Sequence, residues 1–301
     1  MRRQKRIIIL LAAFLTLLIC LAVVLFIRKL PDGKDKSEVR QDKGTDIEVR
    51  TEEKAPADVT VPEVPEEGHT RPAPDLSGGT AESIPICMYH YVYDAGSPPE
   101  NIDANFIEVS VLEEELKYLK DNGYYFPTWS EVRDFLDGNI QLPKKSIVLS
   151  FDDGPSYIEL AIPLLEKYQV YATSFVITSY YDSKEMLDGY RNEYLAFESH
   201  SHAMHVGGGS IGHGGIFTAL SKEEALADLE QSAQLCGSKE AFAYPFGDYT
   251  AECEEILAEA GFLCAVTTEP GKSAPGDDPY ALPRVRMSGN QSLEEFVAKI
   301  Q

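Results

Sequence analysis

Two short stretches of the sequence concentrate side chains that could do chemistry. In SIVLSFDDGPS, the carboxylates Asp152 and Asp153 directly follow an apolar run. In EYLAFESHSHAMH, a second apolar run is followed by His200, His202 and His205. One carboxylate and two neutral imidazoles form a facial ligand set for a divalent ion such as zinc. A bound cation would let one of the two adjacent aspartates stay ionised as a ligand and leave the other free to act as a base.

Each stretch taken alone also has a simpler explanation. Asp-Asp-Gly-Pro is typical of a turn that leads into a helix N-cap, and HSHAMH is compatible with a polar loop. Both stretches, however, come at the ends of predicted strands in one strand–helix pattern. In α/β proteins, active sites collect where parallel strands end, so the combination favours a functional site.

Predicted strands and helices alternate from Ile84 to the end of the chain. Strands are predicted at 85–92, 146–151, 172–178, 193–200 and 262–268. A short apolar stretch lies at 241–246 and a further stretch at 281–287, and helices are predicted at 110–122, 155–168, 221–236, 250–260 and from 292 onward. Ser-x-x-Glu capping boxes open the helices at Ser110, Ser221 and Ser292. This alternation predicts an α/β fold with a mostly parallel sheet, either a barrel or doubly wound.

The N-terminal region predicts a membrane anchor and a linker. Residues 7–27 are uncharged and apolar, and at about 1.5 Å per residue a helix of this length spans roughly 31 Å, enough for a bilayer. Basic residues in 1–6 predict a cytoplasmic tail, with the rest of the chain outside. A cleaved signal peptide is the alternative. Residues 28–83, charged and proline-rich, predict a disordered extracellular linker before a folded domain at 84–301.

Composition excludes one class of partner and leaves cysteine pairing open. The formal charge of −22 argues against nucleic acid, because phosphate binding needs a basic surface. Four cysteines outside the apolar segment, Cys87, Cys236, Cys253 and Cys264, show no CxxC spacing. Buried free thiols are expected, although two pairs remain possible.

The motifs resemble a known family. SFDDGPS is similar to the TFDDG signature of the polysaccharide deacetylases, the NodB homology domain of carbohydrate esterase family 4, and ESHSHAMH and AYPFGDY follow in the expected order. The resemblance covers residues 84–301. It implies a distorted (β/α)7 barrel that hydrolyses N-acetyl, less often O-acetyl, groups of a polysaccharide with a divalent metal. Zinc is the expected ion, and cobalt, nickel or iron suit the same ligands.

Carried over by position, the resemblance implies that Asp152 is the catalytic base and Asp153 a metal ligand. The family's usual histidine spacing of four is absent here. The pair His200 and His205, spaced by five, resembles the SHTxxxH form of the poly-N-acetylglucosamine deacetylase branch. His202, on the same strand face as His200, is the alternative ligand.

Two departures from the family pattern leave roles open. Ala243 stands where many members carry an arginine that orients the base, so Arg284 and Arg286 are candidates by type. No histidine follows His213, which removes the usual C-terminal general acid. The MYH motif of one branch implies that His90 fills this role, with a structural histidine near the barrel wall as the alternative.

Further residues are expected at the substrate. A backbone N–H near Tyr244 to Phe246 is a candidate oxyanion donor. Aromatic candidates for stacking on sugar rings are Tyr89, Tyr91, Phe246 and Tyr249. The glycine-rich stretch 207–215 is expected to be a mobile loop beside the site.

Topology and resemblance together predict a bacterial single-pass membrane protein with a monomeric, outward-facing catalytic domain. Its expected substrate is peptidoglycan or another polysaccharide that contains N-acetylglucosamine. Two alternatives share the same residues in whole or part. One is an acetyl-xylan-type O-acetyl esterase, and the other is a non-catalytic surface module that binds carbohydrate, which would need no base such as Asp152.

Overall fold

The computed structural model describes residue 71 and residues 73–301. The predicted cytoplasmic tail, the apolar segment 7–27 and most of the predicted linker lie outside these residues. Within the described part of the chain, no helix is both long and apolar enough to cross a membrane.

Seven parallel strands close into a barrel in the order β1-β4-β5-β6-β7-β8-β9, with β9 paired back to β1. The barrel strands are β1 (Ile86–Tyr89), β4 (Val148–Phe151), β5 (Ala172–Val176), β6 (Leu195–Ser199), β7 (Ala241–Ala243), β8 (Cys264–Pro270) and β9 (Leu282–Arg286). Strands β2 (Tyr91–Tyr93) and β3 (Phe106–Glu108) pair with each other beside the barrel. The predicted parallel α/β barrel is confirmed.

Helices surround the barrel and follow most of its strands. They are α1 (Val109–Asp121), α2 (Trp129–Leu136), α3 (Ile162–Tyr168), α4 (Lys184–Asp188), α5 (Lys222–Cys236), α6 (Ala251–Ala260) and α7 (Leu293–Ile300). The capping boxes predicted at Ser221 and Ser292 are formed. The one predicted at Ser110 is wrong, because α1 begins one residue earlier and the Ser110 hydroxyl donates to Glu108 at 2.7 Å.

Burial in the core explains why the sequences of the barrel strands are continuous apolar runs. Every residue of β4 and β5 is buried, as expected for strands covered on both faces. Residues near the beginnings of the barrel strands pack against α2, which closes that end of the barrel. Within this cluster the Trp129 indole N–H donates to the Thr173 hydroxyl at 3.0 Å. Helix α2 was not predicted from the sequence.

Two boundaries differ from the sequence predictions. The predicted strand 85–92 is interrupted at His90, which lies between β1 and β2. The ordered domain also begins before Ile84, since the Ala81 amide donates to the Leu142 carbonyl and the Lys144 amide to the Gly79 carbonyl, both at 2.9 Å. The last part of the predicted linker therefore packs on the domain.

The four cysteines of the described region are all buried and unpaired. Cys87 and Cys264 lie on barrel strands, whereas Cys236 and Cys253 lie on helices. They fill space in the core as small apolar side chains.

Candidate metal and catalytic site

The residues singled out in the sequence meet at one end of the barrel. His90 follows β1, Asp152 and Asp153 follow β4, and His200 follows β6. Because all barrel strands are parallel, their carboxyl ends share one rim. The site therefore lies at the end where α/β barrels place their chemistry.

The two adjacent aspartates serve different partners. Asp153 adopts a left-handed backbone conformation with φ 76°, which is uncommon for a residue other than glycine. Gly154 follows at φ 122°, and a Cβ there would lie 2.6 Å from the Tyr181 hydroxyl, so this position requires glycine. Asp152 faces the barrel interior and Arg284, while Asp153 faces the histidines. The turn thus separates two carboxylates that would otherwise repel each other.

Asp153, His200 and His205 present a compact set of ligand atoms. Asp153 Oδ1 lies 3.7 Å from His200 Nε2 and 3.7 Å from His205 Nε2. These separations are too long for hydrogen bonds. One carboxylate oxygen and two imidazole nitrogens around a tetrahedral ion lie roughly 3.4 Å apart when the metal–ligand bonds have their usual lengths. All three atoms lie within 4.8 Å of one another, so the donor set fits a divalent cation.

Neighbouring groups fix the orientation of each candidate ligand. The Ala243 carbonyl lies 2.7 Å from His200 Nδ1 and can only accept, so Nδ1 carries the proton and Nε2 keeps its lone pair. The Tyr91 hydroxyl donates to Asp153 Oδ2 and leaves Oδ1 facing the histidines. Burial, followed by the nearby His200, lowers the pKa of His205 and favours the neutral imidazole that a metal requires.

His202 does not join this group. Its Nδ1 lies 3.0 Å from the Thr178 hydroxyl, and the candidate metal group found in the described chain contains His205 instead. The geometry therefore favours the pair with spacing five over the alternative ligand His202.

Asp152 is held by Arg284. The Arg284 guanidinium donates from Nη1 to Oδ1 and from Nη2 to Oδ2, both at 2.8 Å. Both side chains are buried, and Arg284 Nε donates to the Thr267 carbonyl at 2.7 Å. Burial alone would raise the pKa of Asp152, but the charge and hydrogen bonds of Arg284 outweigh it and hold this pKa well below its usual range. Arg286, the other candidate, is exposed and contacts Asn105.

His90 lies beside the Asp152 carboxylate. Its Nε2 is 4.0 Å from Asp152 Oδ2, and its side chain is 18% exposed, so the imidazole opens toward the rim. Burial lowers the pKa of His90, although Asp152 and Asp153 oppose the shift. At neutral pH this imidazole is mainly neutral.

The expected oxyanion donor is a backbone N–H near Tyr244 to Phe246, and the N–H of Tyr244 already has a partner. The Tyr244 amide donates to the Val266 carbonyl at 3.2 Å, and its hydroxyl donates to the Tyr280 carbonyl at 3.0 Å. Both groups are thus used by the barrel wall. Phe246 lies at the rim with φ 61°, and its ring packs 4.4 Å from the ring of His205.

The aromatic surface beside the site differs from the one expected. Tyr89 is buried and donates to Glu115, and the ring of Tyr249 stacks on that of Tyr244. Tyr157 and Tyr180 are instead 43% and 51% exposed. The Tyr157 ring lies 5.1 Å from the ring of Tyr91, the residue that holds Asp153. Tyr157 follows the DDGPS motif directly, which is the signal that could have identified it.

The glycine-rich stretch 207–215 is tied to the rim by Asp248. This buried carboxylate accepts the amides of His213 and Gly215, each at 2.9 Å. A Cβ at Gly212 would lie 1.9 Å from Asp248 Oδ1, so a side chain there would displace the carboxylate. The imidazole of His213 itself is 75% exposed.

The fold is a closed parallel α/β barrel, and a candidate metal site lies at the carboxyl ends of its strands. Residues 139–265 match the model of the polysaccharide deacetylase family. The resemblance seen in the motifs is thereby confirmed over these residues.

Relatives of this domain are found in several bacteria. The YxkH protein of Bacillus subtilis is 28% identical over 233 residues, covering 72% of this chain and 76% of that protein. A poly-beta-1,6-N-acetyl-D-glucosamine N-deacetylase of Staphylococcus aureus is 26% identical over 231 residues, covering 70% of this chain and 77% of that protein. Among solved structures, the Streptococcus pyogenes deacetylase PplD in complex with acetate matches with a TM-score of 0.64 and 25% identity, over 74% of this chain and all of that one.

Proposed function

We propose that this protein hydrolyses N-acetyl groups of an extracellular or cell-wall polysaccharide that contains N-acetylglucosamine, and releases acetate. The observation that carries the proposal is that two consecutive carboxylates have different partners. Asp153 faces His200 and His205, while Asp152 is held apart by Arg284. The activity named for the Staphylococcus aureus relative supports the same substrate class.

Asp153, His200 and His205 would hold a divalent cation, with zinc the expected ion. When bound, the cation polarises the acetyl carbonyl and lowers the pKa of the attacking water. The ligand atoms converge at the rim beside the Asp152 carboxylate, so substrate and water would meet the base there. Cobalt, nickel or iron would suit the same donors.

Asp152 would take one proton from the water as the water oxygen bonds to the acetyl carbon. Because Arg284 binds both of its oxygens, the carboxylate stays ionised and oriented before the reaction. A depressed pKa makes Asp152 a weak base on its own. The acidified water therefore has to supply much of the driving force for this transfer.

The carbon–nitrogen bond then breaks, and the departing nitrogen needs a proton. His90 Nε2, 4.0 Å from Asp152, is placed to pass that proton from the base to the leaving amine. Since His90 is mainly neutral at rest, it would receive the proton during the reaction rather than carry it beforehand. Acetate and a free amine are the products, and Asp152 returns to its ionised form.

Location and assembly belong to the same proposal. The apolar segment 7–27 would anchor the chain in a bacterial membrane, with residues 1–6 inside and the deacetylase domain outside as a monomer. The predicted linker would let the domain reach a polymer away from the membrane surface.

Acetate release by the full-length chain tests the proposed activity. The substrates are N-acetylglucosamine oligomers and peptidoglycan, with O-acetylated xylan for comparison, before and after chelation and with zinc or cobalt restored. We expect metal-dependent release from an N-acetylated polymer, lost in Asp152→Asn and retained in Asp121→Asn, which changes an exposed aspartate on α1. Release from the xylan alone would indicate an O-acetyl esterase. Stoichiometric metal without turnover would indicate a binding module.

A further inference from the structure

The loop between His200 and His205 is held by both backbone and side chains. The backbone N–H groups of Thr178 and Ser179 donate to the carbonyls of Ser201 and His202 at 3.1 Å and 3.0 Å. Four successive backbone N–H groups in this loop donate to side-chain oxygens. They are Ser201 N–H to Ser199 Oγ at 3.1 Å, His202 N–H to Asp228 Oδ1 at 2.7 Å, Ala203 N–H to Asp228 Oδ2 at 2.7 Å, and Met204 N–H to Ser201 Oγ at 3.1 Å. The N–H groups of the loop therefore depend on a few specific side-chain acceptors.

Two of these acceptors depend on helix α5. Asp228 and Ser232 lie four residues apart and so share one face of the helix. The Ser232 hydroxyl lies 2.7 Å from the Ser199 hydroxyl, which accepts the Ser201 amide. Buried Leu229 and Ala225 hold the same helix against the barrel. Helix α5 thereby acts as a rigid support for the loop.

Asp228 accepts two of these four hydrogen bonds. A carboxylate that accepts from two consecutive amides forms charge-assisted hydrogen bonds, and both are short here. The loop needs such support because Ser201 has φ 72°, a left-handed conformation that a serine adopts only when its surroundings hold it there. Without Asp228, the amides of His202 and Ala203 would lose their acceptors, which would loosen the segment that leads to His205.

We propose that Asp228 is a positioning residue for the metal site, which sets the placement of His205 relative to His200 through the loop between them. This inference rests on the proposed function, because it concerns the ion that Asp153, His200 and His205 would hold. Asp228 acts through the backbone of His202 and Ala203. The ion at the site whose geometry it sets is a divalent cation such as zinc.

Asp228→Asn tests the proposal in the full-length chain. The amide keeps the size of the side chain but replaces one acceptor oxygen with a donor, so one of the two backbone amides loses its partner. The zinc dissociation constant is measured by competition with a chromogenic chelator, and the Co²⁺ absorption spectrum reports the coordination geometry. We expect zinc affinity to fall about tenfold, as for other groups that orient metal ligands, and the Co²⁺ spectrum to change. Glu223→Gln, which removes an exposed charge from the same helix, is expected to match the wild type.

Hydrogen exchange gives a second readout. In Asp228→Asn, the peptide that contains His202 and Ala203 is expected to exchange faster, while the rest of the barrel stays protected. A folded variant with wild-type zinc affinity and an unchanged Co²⁺ spectrum would overturn the positioning role. If Asp228→Asn does not fold, Asp228→Ser, which removes the carboxylate, takes its place, and wild-type affinity in that variant would overturn the proposal equally.

The positioning role and the proposed function fail in different ways. A wild-type chain that binds neither zinc nor cobalt would overturn the proposed metal site, and the role of Asp228 with it. A wild-type chain that binds zinc and hydrolyses the polymer, with Asp228→Asn binding zinc equally well, would overturn only the positioning role.

Discussion

Arg284, on β9, and Asp152, directly after β4, form a buried bidentate ion pair inside the barrel. Both oxygens of the carboxylate accept from the guanidinium at 2.8 Å, although the residues are 132 positions apart in the chain. The pair places an arginine beside Asp152, although this chain has Ala243 at the position where many family members carry that arginine. It reaches the same carboxylate from a different strand, β9.

Arg284→Met is expected to destabilise the fold and to disable the base. An unpaired buried carboxylate costs about 3 kcal/mol or more in unfolding free energy. Without Arg284 the pKa of Asp152 rises, so the pH at which activity falls on the acid side moves upward. Denaturant unfolding and the pH dependence of acetate release measure the two effects. Arg286→Met, on the exposed side of β9, is the control, and an Arg284→Met variant with an unchanged pH profile would contradict the assigned contact.

His90→Gln is expected to lower kcat about 100-fold and to leave zinc affinity unchanged. A positioned general acid or base typically contributes at least this factor, and His90 is not among the metal-facing groups. Steady-state acetate release and chelator competition separate the two quantities. His213→Gln, which alters an exposed imidazole, serves as the control. Full activity of His90→Gln would leave Asp152 to carry the proton to the amine alone.

Tyr157→Ala and Tyr180→Ala are each expected to raise KM for an oligosaccharide about fivefold. Stacking of a sugar on an exposed aromatic ring is taken to be worth about 1 kcal/mol, comparable to aromatic pairs, and it would hold substrate and transition state alike. The value of kcat should therefore change little. Tyr194→Ala, ahead of β6 at the opposite end of the barrel, is the matched control. A fall in kcat at constant KM would show that these tyrosines act on the reaction itself.

Glu198 is expected to make the fold less stable as the pH rises from about 4.5 to about 8. Burial raises the pKa of this carboxyl from 4.5 to about 8, although Ser238 and the Ala241 amide donate to it. In that pH window the unfolded chain has lost the proton and the folded chain keeps it. Unfolding free energy should then fall by up to about 1.4 kcal/mol per pH unit and level off above pH 8.

Glu198→Gln should remove this part of the pH dependence, because the amide does not titrate. Chemical denaturation at several pH values between 5 and 9 compares the slopes of the two proteins. Glu166→Gln, an exposed glutamate on α3, is expected to keep the wild-type slope. Equal slopes in wild type and Glu198→Gln would show that Glu198 ionises normally in the folded protein.

The sequence was informative wherever local pattern decides the structure. Asp152, Asp153 and His200 follow apolar runs, so their places at strand ends could be predicted. The same holds for the capping boxes at Ser221 and Ser292. Each of these features depends on a few neighbouring residues.

Features that depend on how distant parts of the chain pack in the barrel were not predicted from the sequence. Arg284 was a candidate by type only, because nothing in LPRVRM says that β9 pairs with β1. Tyr91 was expected to stack on sugars, but the break in the first strand at His90 turns it toward Asp153. The role of Asp228 depends on how α5 packs against β6, which periodicity does not specify.

The order of parts along the chain has a consequence for biosynthesis. The segment 139–265 that matches the family model contains the base and the three candidate ligands, Asp152, Asp153, His200 and His205. Arg284 lies outside it, on the last strand of the barrel. A nascent or truncated chain that stops before β9 would carry every metal-facing residue but no partner for its base. The proposed hydrolysis would therefore require β9, and a chain that stops before this strand is expected to be inactive.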